Sequence, residues 1–240
     1  MTHPHTPSVF TDPAAVARYA DGPRRNVPGY DSLLRMSRIL LAEHVPDHGR
    51  VLVVGAGGGL ELEDMARAHP GWRFDGVDPS QPMLALAAQR LQSASVPDDR
   101  VALHHGYVQS APAGPFDGAT CLLTFHFVPR EERVPMAAEI RRRLKPGAPL
   151  VVAHLSVADG AGPGGEGGAG ERDLWLSRYA AFQVASGVPP EHAAKARDKV
   201  AAELAVLTPQ EDEAILREAG FTDVQRFYMG FAFRGWVATA

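Results

Sequence analysis

Between positions 51 and 154 the chain alternates short apolar runs with amphipathic stretches. Runs at residues 51–54, 73–77, 101–104, 119–124 and 150–154 have the length and bounding residues of buried strands. Residues 60–68, 81–91 and 130–144 carry helical spacing, and Lys145-Pro146-Gly147 ends the third of these helices. Strand and helix in turn predict a parallel sheet with helices on its faces, an α/β doubly wound domain. Such sheets bind ligands at the carboxyl ends of their strands.

The flanks add to this unit. Residues 32–44 place Leu33, Leu34, Met36, Leu40 and Leu41 at helical spacing, after a first dozen residues that read as a loose arm. Residues 159–170 hold seven glycines in twelve positions, a composition that predicts a linker or lid hinge. Two helices are predicted next, 173–185 and 191–204, with Trp175, Tyr179 and Phe182 repeating on one face and Val200, Leu204 and Leu207 behind them. Thr208 then caps a helix whose first position is Pro209 and which Gly220 stops. Strands near 224–228 and 231–238 close the chain. The predicted organisation is an N-terminal arm and helix at 1–49, a core at 50–158 and 208–240, and a linker with a helical lid at 159–207.

At 45% hydrophobic and 22% charged, 240 residues form a folded chain with a substantial core. The lone Cys121 excludes an internal disulfide framework and a multi-cysteine zinc site. His104-His105, His3 and His5 lack carboxylates at ligand spacing, so no metal is expected. No run reaches the roughly 18 apolar residues of a membrane span, and the start lacks the build of a secretory signal; a cytoplasmic protein is expected. The net charge of −4 provides no general attraction to nucleic acid. Arg18, Arg24, Arg25, Arg35 and Arg38 are interspersed with Asp12, Asp21, Asp31 and Glu43, a mixed solvated surface.

The strongest local signal follows the first run. Gly55, Gly57 and Gly59 alternate between a buried strand and a helix, where a cofactor can approach the backbone. A dinucleotide fingerprint requires a third glycine at position 60, which is Leu60, whereas the GxGxG spacing is met; this favours S-adenosylmethionine over a nicotinamide cofactor. Asp78 ends the second run, where one carboxylate can hold two ribose hydroxyls. The plainer alternative is a tight turn with Asp78 capping the next helix.

These features resemble the class I S-adenosylmethionine-dependent methyltransferases, with a Rossmann-like fold, a mostly parallel seven-stranded sheet, a C-terminal antiparallel strand pair and a helical insertion. Arg25-Asn-Val-Pro28-Gly29-Tyr30, Asp78-Pro-Ser-Gln-Pro-Met83, Phe125-His126-Phe127 and Gly220-Phe221 with Phe231-Ala-Phe233 are similar to segments of the carboxy-S-adenosylmethionine synthases, which act in tRNA wobble-uridine modification. The resemblance implies that Tyr30 closes over S-adenosyl-L-methionine and that Gly55, Ala56, Gly57 and Gly59 line its methionine part. It also implies that Asp78 with Pro79 holds the ribose and that Tyr107 and Val108 flank the adenine. Met83 either walls that ring or packs as ordinary helix core. The chain departs from the family pattern at Val53, Tyr107 and Leu122, which stand where an acid, an acid and an asparagine are usual. Lys199 stands where the synthases use an arginine to grip the extra carboxylate, and lysine lacks the bidentate fork.

Methyl transfer from a sulfonium is a direct displacement that depends mainly on alignment, sometimes with a base. His126, after the fourth strand, is the first candidate base and His154, closing the fifth, the second; a packed ring bonded to backbone is the alternative for each. Trp175, Tyr179, Phe182, Phe227, Tyr228, Phe231 and Phe233 either wall an acceptor pocket or form core and dimer interface. The expected activity is methylation of a small-molecule acceptor, with a homodimer through the inserted helices. The rivals are a carboxy-S-adenosylmethionine synthase-like enzyme and a non-catalytic nucleoside-binding domain.

Overall fold

The computed structural model describes residue 16 and residues 22–158 and 170–240. The expected arm of the first dozen residues, and the glycine-rich linker apart from Gly170, lie outside the described residues.

Strands β1 (Arg50–Val54), β2 (Arg73–Asp78), β3 (Val101–His105), β4 (Gly118–Leu122) and β5 (Pro149–Leu155) run parallel. Of the last two, β6 (Thr222–Gly230) and β7 (Phe233–Thr239), β7 pairs antiparallel with both β5 and β6. The order β3-β2-β1-β4-β5-β7-β6 reverses its progression between β1 and β4, so a crevice opens at their carboxyl ends.

The central strands β1, β4 and β5 are buried along nearly their whole length because both faces are covered. Val51 and Val53 of β1 point into one core, with Leu33, Leu41, Leu62, Met65 and Phe74. Leu52 and Val54 point into the other, with Ile140, Leu216 and Trp236. Helices α1 (Gly22–Asn26) and α2 (Tyr30–Ala42) precede the sheet; α3 (Leu60–Ala68) and α4 (Gln81–Ser93) follow β1 and β2; α5 (Arg130–Arg143) follows β4. The insertion forms α6 (Glu171–Ala185) and α7 (Pro190–Glu203), and α8 (Pro209–Glu218) returns the chain to the sheet.

The predicted start of α8 is present in full: Thr208 Oγ1 accepts from the Glu211 amide and the Glu211 carboxylate accepts from the Thr208 amide, a reciprocal capping box with Pro209 at the first position. Two predicted strand ends differ. The fourth strand stops at Leu122, not at residue 124, because Leu123 adopts φ +58, a left-handed conformation that diverts the chain although the apolar run continues. Phe231, predicted to open the last strand, has φ +48 and forms the β6–β7 turn; β7 begins at Phe233.

The insertion interlocks with the N-terminal segment. Gln183 Nε2 donates to Asn26 Oδ1 at 2.8 Å and to the Tyr179 hydroxyl at 2.9 Å, and the Tyr228 hydroxyl of β6 donates to the Pro28 carbonyl. Leu176 and Tyr179 of α6 and Val200 of α7 complete the first core. Among the described residues no helix is long and apolar enough to cross a membrane.

Candidate functional site

The glycine loop leaves β1 beside the crevice. Gly55 turns with φ +76, and a Cβ there would collide with the Thr124 hydroxyl group just past β4. The Gly55 and Ala56 amides donate to the Val77 carbonyl at 2.9 and 3.1 Å, which ties the loop to the end of β2. At Gly59, φ +79 and a Cβ only 2.8 Å from Ala87 Cα mean that glycine alone lets α3 and α4 approach here.

Asp78 is buried at the end of β2. Its Oδ2 accepts from the Gly57 amide at 2.9 Å and its Oδ1 from the Ser80 amide at 2.8 Å. One carboxylate therefore fixes the glycine loop and the start of α4 together. Burial pushes its pKa up, while the Ser80 and Gly57 amides pull it back. Each oxygen keeps acceptor capacity, since an ionised carboxylate has about four lone-pair sites.

The other expected cofactor residues fall around this point. Met83, on the first turn of α4, is buried, with its methyl group 3.4 Å from where a Gly57 Cβ would stand. Pro79 is half-buried, and its carbonyl meets His105 Nε2 at 3.1 Å. Tyr107 is half-buried just before a single 3₁₀ turn at Val108–Ser110; the Val108 side chain packs into the second core with Val54 and Val77. Tyr30 opens α2 and shares the first core with Ala56, Leu60 and Leu122. Tyr30, the glycine loop, Met83, Asp78 and Leu122 thus gather from distant segments at one end of the sheet.

The two histidines are held differently. His126 lies in a buried 3₁₀ turn, Phe125–Phe127, and its Nδ1 accepts from the Leu155 amide at 3.3 Å. Burial, then His154 and Arg133, hold its pKa well below the ordinary histidine value, so the ring is neutral at pH 7. With Nδ1 accepting, the proton sits on Nε2, and the free edge donates instead of accepting. His154 is also buried, with Nε2 3.1 Å from Asp212 Oδ1 on α8 and its ring stacked on Phe125. Arg133 Nη1 of α5 donates to the same oxygen at 3.1 Å. His154 is therefore part of a charged cluster beneath the sheet end, not an open base.

Several residues here escaped the sequence reading. Thr124, against Gly55, carries no spacing signal. Glu61, on the first turn of α3, is a buried carboxyl whose helical position reads as solvent-facing. Asp75 accepts from Arg50 Nε at 2.7 Å and meets His104 Nε2 at 2.8 Å, a partner that only the β2–β3 pairing brings within reach. The aromatic residues split: Tyr179, Tyr228 and Phe233 are buried core, whereas Trp175, Phe182 and Phe227 are half-buried and Phe231 is exposed.

Residues 51–147 match the family model described as a methyltransferase domain. The fold is that of the class I S-adenosylmethionine-dependent methyltransferases. The chain is similar to a protein of Chromohalobacter salexigens named carboxy-S-adenosyl-L-methionine synthase, at 27% identity over 95% of this chain and 82% of that one. A solved structure named an S-adenosylmethionine-dependent methyltransferase, from Aquifex aeolicus, aligns with TM-score 0.60 at 19% identity, covering 95% of this chain and 97% of that one. A putative O-methyltransferase from Nostoc punctiforme aligns with TM-score 0.66 at 17% identity over all of this chain but 62% of its own. The present chain thus spans about three fifths of that larger one.

Replacing Gly55 with alanine is expected to cost about 2 kcal/mol or more, since the left-handed backbone and the Thr124 contact both penalise a Cβ. Urea denaturation of Gly55→Ala measures it; unchanged stability would mean that the loop relaxes freely.

Proposed function

We propose that the methyltransferase transfers a methyl group from S-adenosyl-L-methionine to a small-molecule acceptor bound on the side of α6 and α7. The carrying observation is Asp78, buried at the end of β2 and oriented by the Gly57 and Ser80 amides with acceptor capacity to spare. This matches a nucleoside ribose, and the side-chain-free backbone at Gly55 and Gly57 suits close approach by the rest of the molecule. When bound, S-adenosylmethionine supplies an electrophilic methyl group on a sulfonium.

The chain's own residues bind and orient. Asp78 with Pro79 holds the ribose, Gly55, Ala56, Gly57 and Gly59 line the methionine part, and Met83, Tyr107 and Val108 flank the adenine. Tyr30 and Leu122 close the apolar side. His126 presents an Nε2–H donor toward the acceptor and His154 stays within the Asp212 cluster, which favours catalysis by alignment over general-base catalysis. The N-terminal segment covers the cofactor, and the insertion selects the acceptor.

Calorimetric titration with S-adenosylhomocysteine tests the assignment. Micromolar binding is expected, weakened about 100-fold in Asp78→Asn, where an amide replaces a charge-assisted acceptor. Because the Asp78 pKa lies above its ordinary value, affinity should fall on acidification at a higher pH than a normal aspartate would dictate. Absence of binding, or an Asp78→Asn affinity equal to the parent, would sink this site.

The similarity to carboxy-S-adenosylmethionine synthases over most of the chain favours a second reading, a synthase-like enzyme. Against it, Lys199 is exposed on α7, 3.7 Å from Glu203, instead of an arginine set to grip a carboxylate. The mass of a co-purified nucleoside separates the two. A non-catalytic nucleoside-binding domain would bind the same ligands but donate no methyl group to any acceptor. Pairing of two copies through the insertion belongs to the proposal, and a monomeric mass by light scattering at micromolar concentration would refute it.

A further inference from the structure

Arg234 lies near the start of β7, opposite His154 at the carboxyl end of β5. It is 5% exposed, yet among the described residues it has no carboxylate within ion-pair distance. Other buried arginines here are matched: Arg133 pairs with Asp212, and Arg143 with Glu139. Arg234 Nη1 donates to the Phe231 carbonyl and, at 2.9 Å, to the Phe233 carbonyl, which anchors the guanidinium over the β6–β7 turn. Its Nε and Nη2 have no protein partner among the described residues. That edge is the fork that fits a carboxylate.

The surroundings hold the fork in place without neutralising it. The guanidinium lies 5.2 Å from the Trp175 ring centroid on α6, and Arg178 covers the same indole at 4.4 Å. Glu171 acts on it electrostatically, but its Oε1 accepts from Trp175 Nε1 at 3.2 Å. Burial and Arg226 push the Arg234 pKa down, Glu171 and Tyr228 pull it up, and the group stays a cation. Neither free nitrogen is sealed from solvent, so the fork is open to an anion that would pair with this largely buried cation. Leu155, next along β5, donates its amide to His126, so the β5 position opposite Arg234 adjoins the residue that anchors the His126 turn.

We propose that Arg234 recognises a carboxylate on the ligand of this site, with Trp175 fixing the guanidinium plane. This rests on the methyltransferase reading of the site and names its substrate class: a small acceptor carrying a carboxylate. The same chemistry would arise from a carboxylated nucleoside, and the experiment separates the two sources.

The chain saturated with S-adenosylhomocysteine is titrated with 4-hydroxybenzoate and with 4-hydroxybenzamide, in the parent, Arg234→Gln and Arg234→Lys. The carboxylate should bind at least about tenfold more tightly than the amide in the parent. That preference should vanish in Arg234→Gln and survive in part in Arg234→Lys, which keeps the charge and loses the fork. In parallel, nucleoside co-purified with the parent and both variants is weighed. A species one carboxylate heavier than S-adenosylmethionine, lost in Arg234→Gln, would assign the same fork to the nucleoside. No carboxylate preference in the parent together with no Arg234-dependent nucleoside overturns the proposal. S-adenosylhomocysteine binding is scored separately, so its absence would count against the methyltransferase reading, not against Arg234. Arg234→Lys serves as the folded comparison where Arg234→Gln does not fold.

Discussion

Asp212→Ala is expected to lower the free energy of unfolding by about 3–5 kcal/mol, the cost of leaving a buried cation unpaired. Asp212 sits on α8 with 2% of its side chain exposed, and its Oδ1 meets Arg133 Nη1 and His154 Nε2, each at 3.1 Å. Arg133 is fully buried, with Nε donating to the Val128 carbonyl at 3.1 Å and Nη2 to the Ala205 carbonyl. The guanidinium therefore joins α5, the turn after His126 and the exit of the insertion. Without the carboxylate its charge has no anion to face. Burial alone would raise the Asp212 pKa; His154, Ser156 and Arg133 outweigh it and hold the carboxyl below its ordinary value. A depressed folded-state pKa contributes stability that is present above the unfolded value and lost as pH falls through the folded one. Urea denaturation at pH 7 and pH 3 should show a large difference between parent and Asp212→Ala at the first and a smaller one at the second. Arg133→Met with Asp212→Leu should recover much of the loss, because removing both charges removes the penalty. A cost below 1 kcal/mol for Asp212→Ala would show that water or another group already compensates Arg133.

The second large effect has the opposite sign. Glu61 is buried on the first turn of α3, and burial, with Asp64 adding to it, pushes its pKa from 4.5 to about 8, while the Thr120 hydroxyl only partly offsets this. Neither Glu61 Oε1 nor Thr120 Oγ1 has a well-formed hydrogen bond. For an acid whose folded-state pKa is raised, stability is greatest below the unfolded value and declines as pH rises toward the folded one. Glu61→Gln keeps the shape and removes the ionisation. Its stability should match the parent near pH 4 and exceed it by on the order of 4 kcal/mol at pH 7.5, where each pKa unit is worth about 1.4 kcal/mol. Thermal unfolding of both proteins from pH 4 to 9 checks this. Curves that stay parallel would mean that Glu61 ionises without cost, through water or a cation reaching it.

Both effects rest on groups that the hydrophobic pattern misreads. The buried face of α5 is Arg133, Ala137, Ile140 and Arg143, a helical repeat whose two ends are arginines. Read along the chain, those arginines belong to a solvent-facing polar side, and nothing local indicates that Asp212, 79 residues away, closes the pair. Glu61 likewise looks like a favourable acid at a helix N-terminus. Arg234 follows an aromatic segment, and only the fold brings Trp175 of α6 against it.

Local signals in the chain carry the alternation of strands and helices, the glycine loop with Asp78 beyond it and the capped start of α8. Those features are local: spacing, backbone freedom and capping are decided within a few residues. The tertiary structure alone decided that Asp78 is a loop tether as well as an acceptor, that His126 presents a donor and that His154 belongs to a buried cluster. It also decided that, among the described residues, the buried Arg234 has no carboxylate in an ion pair with it. These depend on which charges and lone pairs meet across strands and helices far apart in the chain. Burial then sets their energies, because only in a water-excluding interior does an unpaired charge or an unshared proton cost enough to matter.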